Sequence, residues 1–397
     1  MPVPPPAPGA VRTLAVGLLL ALTACGGDAP DPVAAPTAEP SAAPTTPAPT
    51  SPAPTTAAPS AVPPAAAPSA AASPTGTRAP ADPEVLVTGL EAPWGLDFLP
   101  GGDALVTERD TARVLRVPAA GGTPALLTTL DEAEPDGEGG LLGLAVSPEH
   151  ARDRTVYAYV TTARDNRVVR FTTDDPGRRE PVLTGIPKGR IHNGGRLAFG
   201  PDGLLYVGTG DTGDTALSQD PGSLGGKVLR MTPDGRPAPG ASSLVFSRGH
   251  RNVQGLAFDD AGRPYAVEFG QNRFDEVNQV VEGGNGGWPD VEGAGTGGGR
   301  FLAPITTWTT DEASPSGATV AGGSLWVAAL RGERLWRVPL DGRGGAGEPE
   351  ALYEGRFGRL RAAATAPDGS VWLLTSNRDG RGEPAEPDDR VLRLALS

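Results

Sequence analysis

From about residue 82 onward, short apolar runs alternate with turn residues, and no long stretch carries the period of a helix. Pro-Asp-Gly, Gly-Gly and Asn-Gly sequences separate the runs, as they do between antiparallel strands. One theme recurs. Its first copy is Pro93-Trp94-Gly95-Leu96-Asp97-Phe98, then a glycine turn, then Ala104-Leu105-Val106-Thr107. Further copies begin at Gly140, Gly195, Val253, Pro315 and Leu360, the fifth of the six being degenerate. Most are followed by a strand of the Val-Leu-Arg-Val type, at 114–117, 228–231, 335–338 and 391–394. The copies start roughly 45–65 residues apart, which is the spacing of four-stranded blades around a channel.

The pattern predicts an all-β fold, a six-bladed β-propeller of four-stranded antiparallel blades over residues 82–397. A blade cannot bury both of its faces alone, so neighbouring blades must stack. Glu84-Val85-Leu86-Val87 is expected to pair with the last blade and close the ring, leaving no long bare sheet edge.

The segment before the repeats changes the picture. Residues 11–24 form an apolar run with a single arginine, too short to span a bilayer and of the length of a secretion-signal core. Leu22-Thr23-Ala24-Cys25 resembles a bacterial lipobox, which implies lipidation at Cys25. Residues 1–24 are therefore expected to be a lipoprotein signal peptide, and 25–81 a lipidated cysteine with a disordered tether of Ala, Pro, Thr and Ser. The folded domain would then sit outside the cytoplasmic membrane, held by a lipid anchor. Cys25 is the only cysteine, so the chain forms no intramolecular disulfide. The net charge of −13 argues against nucleic acid as a partner. Neither a phosphate-binding Gly-Lys-Ser/Thr loop nor a dinucleotide glycine fingerprint follows any strand.

Only three histidines are present. His192 precedes the first strand of the third copy and Asp211 follows the second. Consecutive antiparallel strands bring those two ends together, so the pair is either a base with its orienting carboxylate or two polar residues on a rim. Gly249-His250-Arg251-Asn252 leads into the fourth copy as His192 leads into the third. Arg251 and Asn252 are thus expected at the same channel mouth, where an arginine either clamps an anion or forms a structural ion pair. Glu138 leads into the second copy, Arg359 and Arg361 into the sixth, and Arg331 follows a strand of the fifth. A mouth rich in arginine on an acidic protein suggests an anionic ligand. The segment Glu268–Asn278, with Gly270, Gln271, Asp275 and Glu276, carries a weak signal for a hard cation such as calcium. Trp288, in a Gly-Gly-Trp-Pro turn, is expected to be core.

Together His192-Asn-Gly-Gly-Arg-Leu, Gly249-His-Arg-Asn-Val-Gln-Gly, Asp275-Glu-Val-Asn and Asn285-Gly-Gly-Trp-Pro resemble the soluble sugar dehydrogenases that use pyrroloquinoline quinone (PQQ). The likeness spans about Val87 to Leu396 and is greatest to the glucose/sorbosone dehydrogenase branch. It implies PQQ lying across the channel mouth and oxidation of an aldose at C1 to its lactone. It implies His192 as catalytic base, Asp211 as its orienting carboxylate and Arg251 as the residue polarising the quinone. Asn252, Arg331, Arg359 and Arg361 match cofactor-binding positions, and Glu138 stands where the family often has glutamine. Calcium would be held partly by backbone carbonyls at Gly270-Gln271, with Asp275 and Glu276 as the nearby carboxylates. Electrons would pass to a membrane quinone or another respiratory acceptor. Glu138, and Phe269 in place of a polar cofactor contact, are the departures. They leave open a non-catalytic propeller that binds glycans or a partner protein at the cell surface, and a calcium-dependent lactone hydrolase is a third, weaker reading.

Overall fold

The computed structural model describes residues 81–396. The expected leader, Cys25 and all but the last residue of the expected tether lie outside them. The described residues form six antiparallel blades, with two helices of only four residues each.

Blade 1 comprises Pro93–Phe98, Ala104–Glu108, Arg113–Val117 and Ala125–Thr129. Blades 2, 4 and 5 begin at Leu141–Val146, Val253–Phe258 and Pro315–Ala321 and have the same four-stranded meander. Blade 3, from Leu197–Phe199 onward, adds a two-residue fifth strand, Gly284–Asn285, which runs parallel to its neighbour Val245–Arg248. Blade 6 takes Leu360–Thr365, Val371–Thr375 and Val391–Leu394 from the end of the chain and its outer strand, Glu84–Val87, from the start. Val85 pairs with Leu392 in this closing contact. The chain thus fastens its own ring, as the apolar segment at 84–87 suggested.

The patterns explain these placements. Leu141–Val146 and Ser324–Ala329 are buried at every position because blades cover both of their faces. The third strand of blade 1 is less fully covered, with Val114, Leu115 and Val117 buried but Arg116 exposed. The core is a set of seams between blades. Phe98 meets Trp372 edge-to-face at 5.1 Å between blades 1 and 6, and Tyr206 meets Phe258 at 4.9 Å between blades 3 and 4. Each such pair adds about 1 kcal/mol beyond its buried area.

The innermost strand of each blade lines the channel. Its leading loop and the loop trailing the second strand share one end of that channel, and these two loop types supply the site.

Candidate active site

At that end lies a cavity of about 520 Å³. Trp94, Glu138, Gln254 and Ser314 line it from the starts of inner strands, together with Arg359 and Arg361. Arg109, Phe269, Arg331 and Asp379–Arg381 come from trailing loops. Glu138, Arg331, Arg359 and Arg361 are therefore brought together from three blades.

The arginines are organised by one carboxylate. Asp379 Oδ2 accepts from Arg359 Nη2 at 2.9 Å and from Arg361 Nη2 at 3.2 Å. Burial works to raise the pKa of Asp379, but Arg361 and Arg359 outweigh it and hold the carboxyl below its usual value. Arg361 Nη1 also donates to Gln254 Oε1 at 2.9 Å, and burial pushes its pKa down to about 10, leaving it charged at neutral pH. Arg109 reaches the Asp379 carbonyl at 3.1 Å. One carboxylate between two buried guanidiniums leaves an excess of positive charge. Arg331 is more exposed and pairs with Asp311 at 2.7 Å on the rim.

His192 and Asp211 stand beside the cavity on blade 3. His192 Nδ1 lies 2.6 Å from Asp211 Oδ1. Asp211 Oδ1 also accepts the Gly213 amide at 2.9 Å, and Oδ2 accepts Trp288 Nε1–H at 2.9 Å. Burial favours a neutral Asp211, yet its hydrogen bonds to His192, Gly213 and Trp288 prevail and keep the carboxyl below its usual pKa. An ionised Asp211 makes Nδ1 the protonated nitrogen, which leaves Nε2 as the acceptor. No described protein group hydrogen-bonds Nε2. Trp288 is buried as expected of a core residue, but its indole nitrogen also belongs to the site.

The backbone at His192 adopts φ +53°, a left-handed conformation that costs a non-glycine residue about 1–2 kcal/mol. Neighbours hold it there. Its N–H donates to Glu138 Oε2 at 2.9 Å, and its carbonyl accepts the Thr212 amide at 3.2 Å. Gly210 is required because a Cβ there would lie 1.9 Å from the His192 carbonyl oxygen. Glu138 thereby joins the base to the cavity. Its other oxygen meets Arg381 at 3.0 Å, so its charge is neutralised from blade 6.

Arg251 lies on the same rim, with Nη1 donating to the Phe269 carbonyl at 3.3 Å and its guanidinium 5.5 Å from the Trp288 ring centroid. Its amide donates to Glu268 Oε2 at 2.7 Å, and the buried His250 holds Oε1 of the same carboxylate at 2.7 Å. Asn252 is fully buried and does not line the cavity. Its Oδ1 accepts the Gly194 amide at 3.0 Å, which braces the loop carrying His192. Lys227 braces the other loop, the one that follows Asp211, by donating to the carbonyls of Leu217, Ser218 and Gly225.

The cation segment is built differently from a carboxylate cage. Asp275 accepts the amides of Gly270 and Ser314, at 2.9 and 2.6 Å. Glu276, the next residue along the strand, accepts Gly293 N–H at 2.6 Å on the other face. Burial pushes the Asp275 carboxyl up to about 7. Among the described residues no group of three or more His, Cys, Asp or Glu side chains is poised around a metal. The donors left at Gly270 and Gln271 are backbone carbonyls. They do not by themselves define a calcium site.

Asp379, Arg381, Arg109, Trp94 and Trp288 were missed in the sequence. Asp379 and Arg381 follow the second strand of blade 6 as Asp211 follows that of blade 3. The rule that singled out Asp211 and Arg331 in trailing loops finds them when it is carried on to the sixth copy.

Comparison with known proteins agrees with this architecture. The aldose sugar dehydrogenase of Streptomyces coelicolor, solved in its PQQ-bound form, is 54% identical and superposes with a TM-score of 0.75 over 80% of this chain and 100% of that one. Quinoprotein glucose dehydrogenase B of Acinetobacter calcoaceticus is 32% identical over 253 residues, 53% of each chain. The aldose sugar dehydrogenase YliI of Escherichia coli is 27% identical over 339 residues, 75% of this chain and 90% of that one. The glucose/sorbosone dehydrogenase family model matches residues 90–386. With that match and a six-bladed ring that carries its polar groups at one mouth, the chain belongs to the glucose/sorbosone dehydrogenase family of oxidoreductases.

Proposed function

We propose that this protein is a PQQ-dependent aldose dehydrogenase that oxidises the sugar at C1 to the lactone, with His192 as general base. The observation that carries the reading is the His192–Asp211–Trp288 hydrogen-bonded chain beside a cavity lined by arginines.

The donor set suits a planar polycarboxylate. Arg251 Nε and Arg361 Nε are buried without a hydrogen-bond partner, at a mouth whose guanidiniums outnumber their buried carboxylate. Arg359, Arg361 and Arg331 would hold the cofactor's charge, with Arg251 on the rim supplying a further donor. Bound, PQQ would supply a two-electron acceptor. The protein does the rest. Asp211 keeps Nδ1 protonated, so Nε2 is free to take the proton of the anomeric hydroxyl. Arg251 places a fixed positive charge on the same rim, where negative charge gathers as the hydroxyl deprotonates. The PQQ-bound Streptomyces coelicolor relative supports the cofactor assignment, and the Acinetobacter calcoaceticus relative supports the substrate class.

The lipobox at Cys25 supports attachment outside the cytoplasmic membrane, with electrons leaving to a membrane quinone or another respiratory acceptor. Radiolabelled palmitate incorporation that is lost in Cys25→Ala tests the anchor. Titration of the purified chain with PQQ, followed by dye reduction with glucose, tests the activity. Saturable PQQ binding with turnover that collapses in His192→Ala is the expected result, and no PQQ binding at micromolar concentration overturns the reading.

A further inference from the structure

We propose that the channel holds a second ligand site, for a small inorganic anion such as chloride, at the end opposite His192 and with the Arg196 guanidinium as its floor. The proposal does not depend on the cofactor.

Arg196 lies across the channel. Its guanidinium carbon sits 4.3 Å from the Trp94 ring centroid on blade 1, and Nε donates to the Gln254 carbonyl on blade 4 at 2.7 Å. On blade 5 a Cβ at Gly317 would come within 2.9 Å of Nη2, so glycine makes room for the side chain. From blade 6, Arg361 approaches the same Trp94 ring at 5.8 Å. A side chain that touches blades 1, 4 and 5 from blade 3 must stand near the axis.

Its charge is not balanced. Arg359 and Arg361 share Asp379, whereas the charged neighbour acting on Arg196 is Arg361, another cation. Arg196 is 7% exposed, and its Nη2 is buried with no partner. A desolvated guanidinium without a counter-charge is unstable unless something anionic or strongly polar reaches it.

The space for such a group is on the far side. Arg196 lines a second cavity of about 360 Å³, and it is the one cationic side chain there. The walls come from the trailing ends of all six inner strands, among them Asp97, Val146, Phe199, Phe258, Thr319 and Thr365. Asp97 is committed elsewhere: Oδ1 accepts the Phe98 amide at 2.8 Å and Oδ2 the Val146 amide at 2.7 Å. The Thr319 and Thr365 hydroxyls bond to each other at 2.7 Å. A single guanidinium is the one cationic donor on these walls, which suits a small monovalent ion rather than a large organic acid, whose further carboxylates would meet no second cation.

Crystals of the full chain soaked in bromide test the site by anomalous diffraction. A bromide peak within contact distance of the Arg196 side chain where it lines the far cavity, on the Asp97 side of Trp94, is expected. Peaks confined to Arg359 and Arg361 in the mouth, or a water in place of bromide at Arg196, overturn the proposal. In solution at constant ionic strength, Tm should rise by roughly 2 °C for each tenfold increase in halide above the dissociation constant. Arg196→Met, which keeps the bulk without the charge, should abolish that slope. An equal slope in both proteins is the second overturning result. The diffraction test needs no variant and stands if Arg196→Met fails to fold.

Discussion

Trp288 Nε1 donates to Asp211 Oδ2 at 2.9 Å, so an indole from the turn after blade 4's third strand fixes the carboxylate that orients the base on blade 3. The two residues are 77 positions apart in the chain. Trp288→Phe keeps a buried aromatic ring but removes the donor. Loss of one hydrogen bond to a charged group is expected to lower kcat about tenfold with little change in KM.

The same variant has a pH signature. Asp211 titrates below its usual value because His192, the Gly213 amide and Trp288 outweigh its burial. A depressed carboxyl contributes stability and orientation above its unfolded pKa and loses them as pH falls through the folded one. Trp288→Phe moves the folded pKa back up. The acidic limb of the kcat–pH profile should therefore shift toward higher pH, and an unchanged limb would show that the indole does not act through Asp211.

His192→Ala should reduce turnover roughly a hundredfold or more, the usual contribution of a general base. PQQ affinity, measured by titration, should change little, because His192 is not among the residues lining the arginine cavity.

Glu138 and Arg381 should behave as a coupled pair. Arg381→Ala exposes the Glu138 charge to an anionic cofactor and should weaken binding severalfold. In a Glu138→Gln background the same change should cost less. A double-mutant cycle on PQQ affinity is expected to give a coupling of about 1 kcal/mol, and additive effects would show that the two act independently.

Asp379→Ala leaves Arg359 and Arg361 buried without their shared carboxylate. Breaking such a pair is expected to cost about 3 kcal/mol in denaturant unfolding. Asp379 has a folded pKa below its usual value, so the parent protein should lose this contribution as pH falls through that depressed pKa. The alanine variant should lack that acid-dependent loss.

Much of the ring was legible because a propeller repeats one local instruction. Pro93–Phe98, Leu141–Val146 and Val253–Phe258 each carry an apolar strand and its turn within a few residues, and the apolar Glu84–Val87 announced the closing strand. His192 and Asp211 were found for the same reason, since a hairpin joins them. Trp288 looked like core and is core, but which atom its indole touches depends on how blades 3 and 4 are set against each other. Arg381 meeting Glu138 likewise joins blades 6 and 2 across the mouth.

The sequence alone determined the strands, their hairpins, the closing segment and the identity of the groups at each loop, because those follow from periodicity and turn chemistry over short distances. Only the tertiary structure decided what each charged group meets: Asp379 two arginines, Glu138 Arg381, Asp275 and Glu276 backbone amides, and Arg196 no counter-charge. Coulomb attraction and hydrogen bonding depend on distances of a few ångströms. Those distances are set by the packing of blades far apart in the chain.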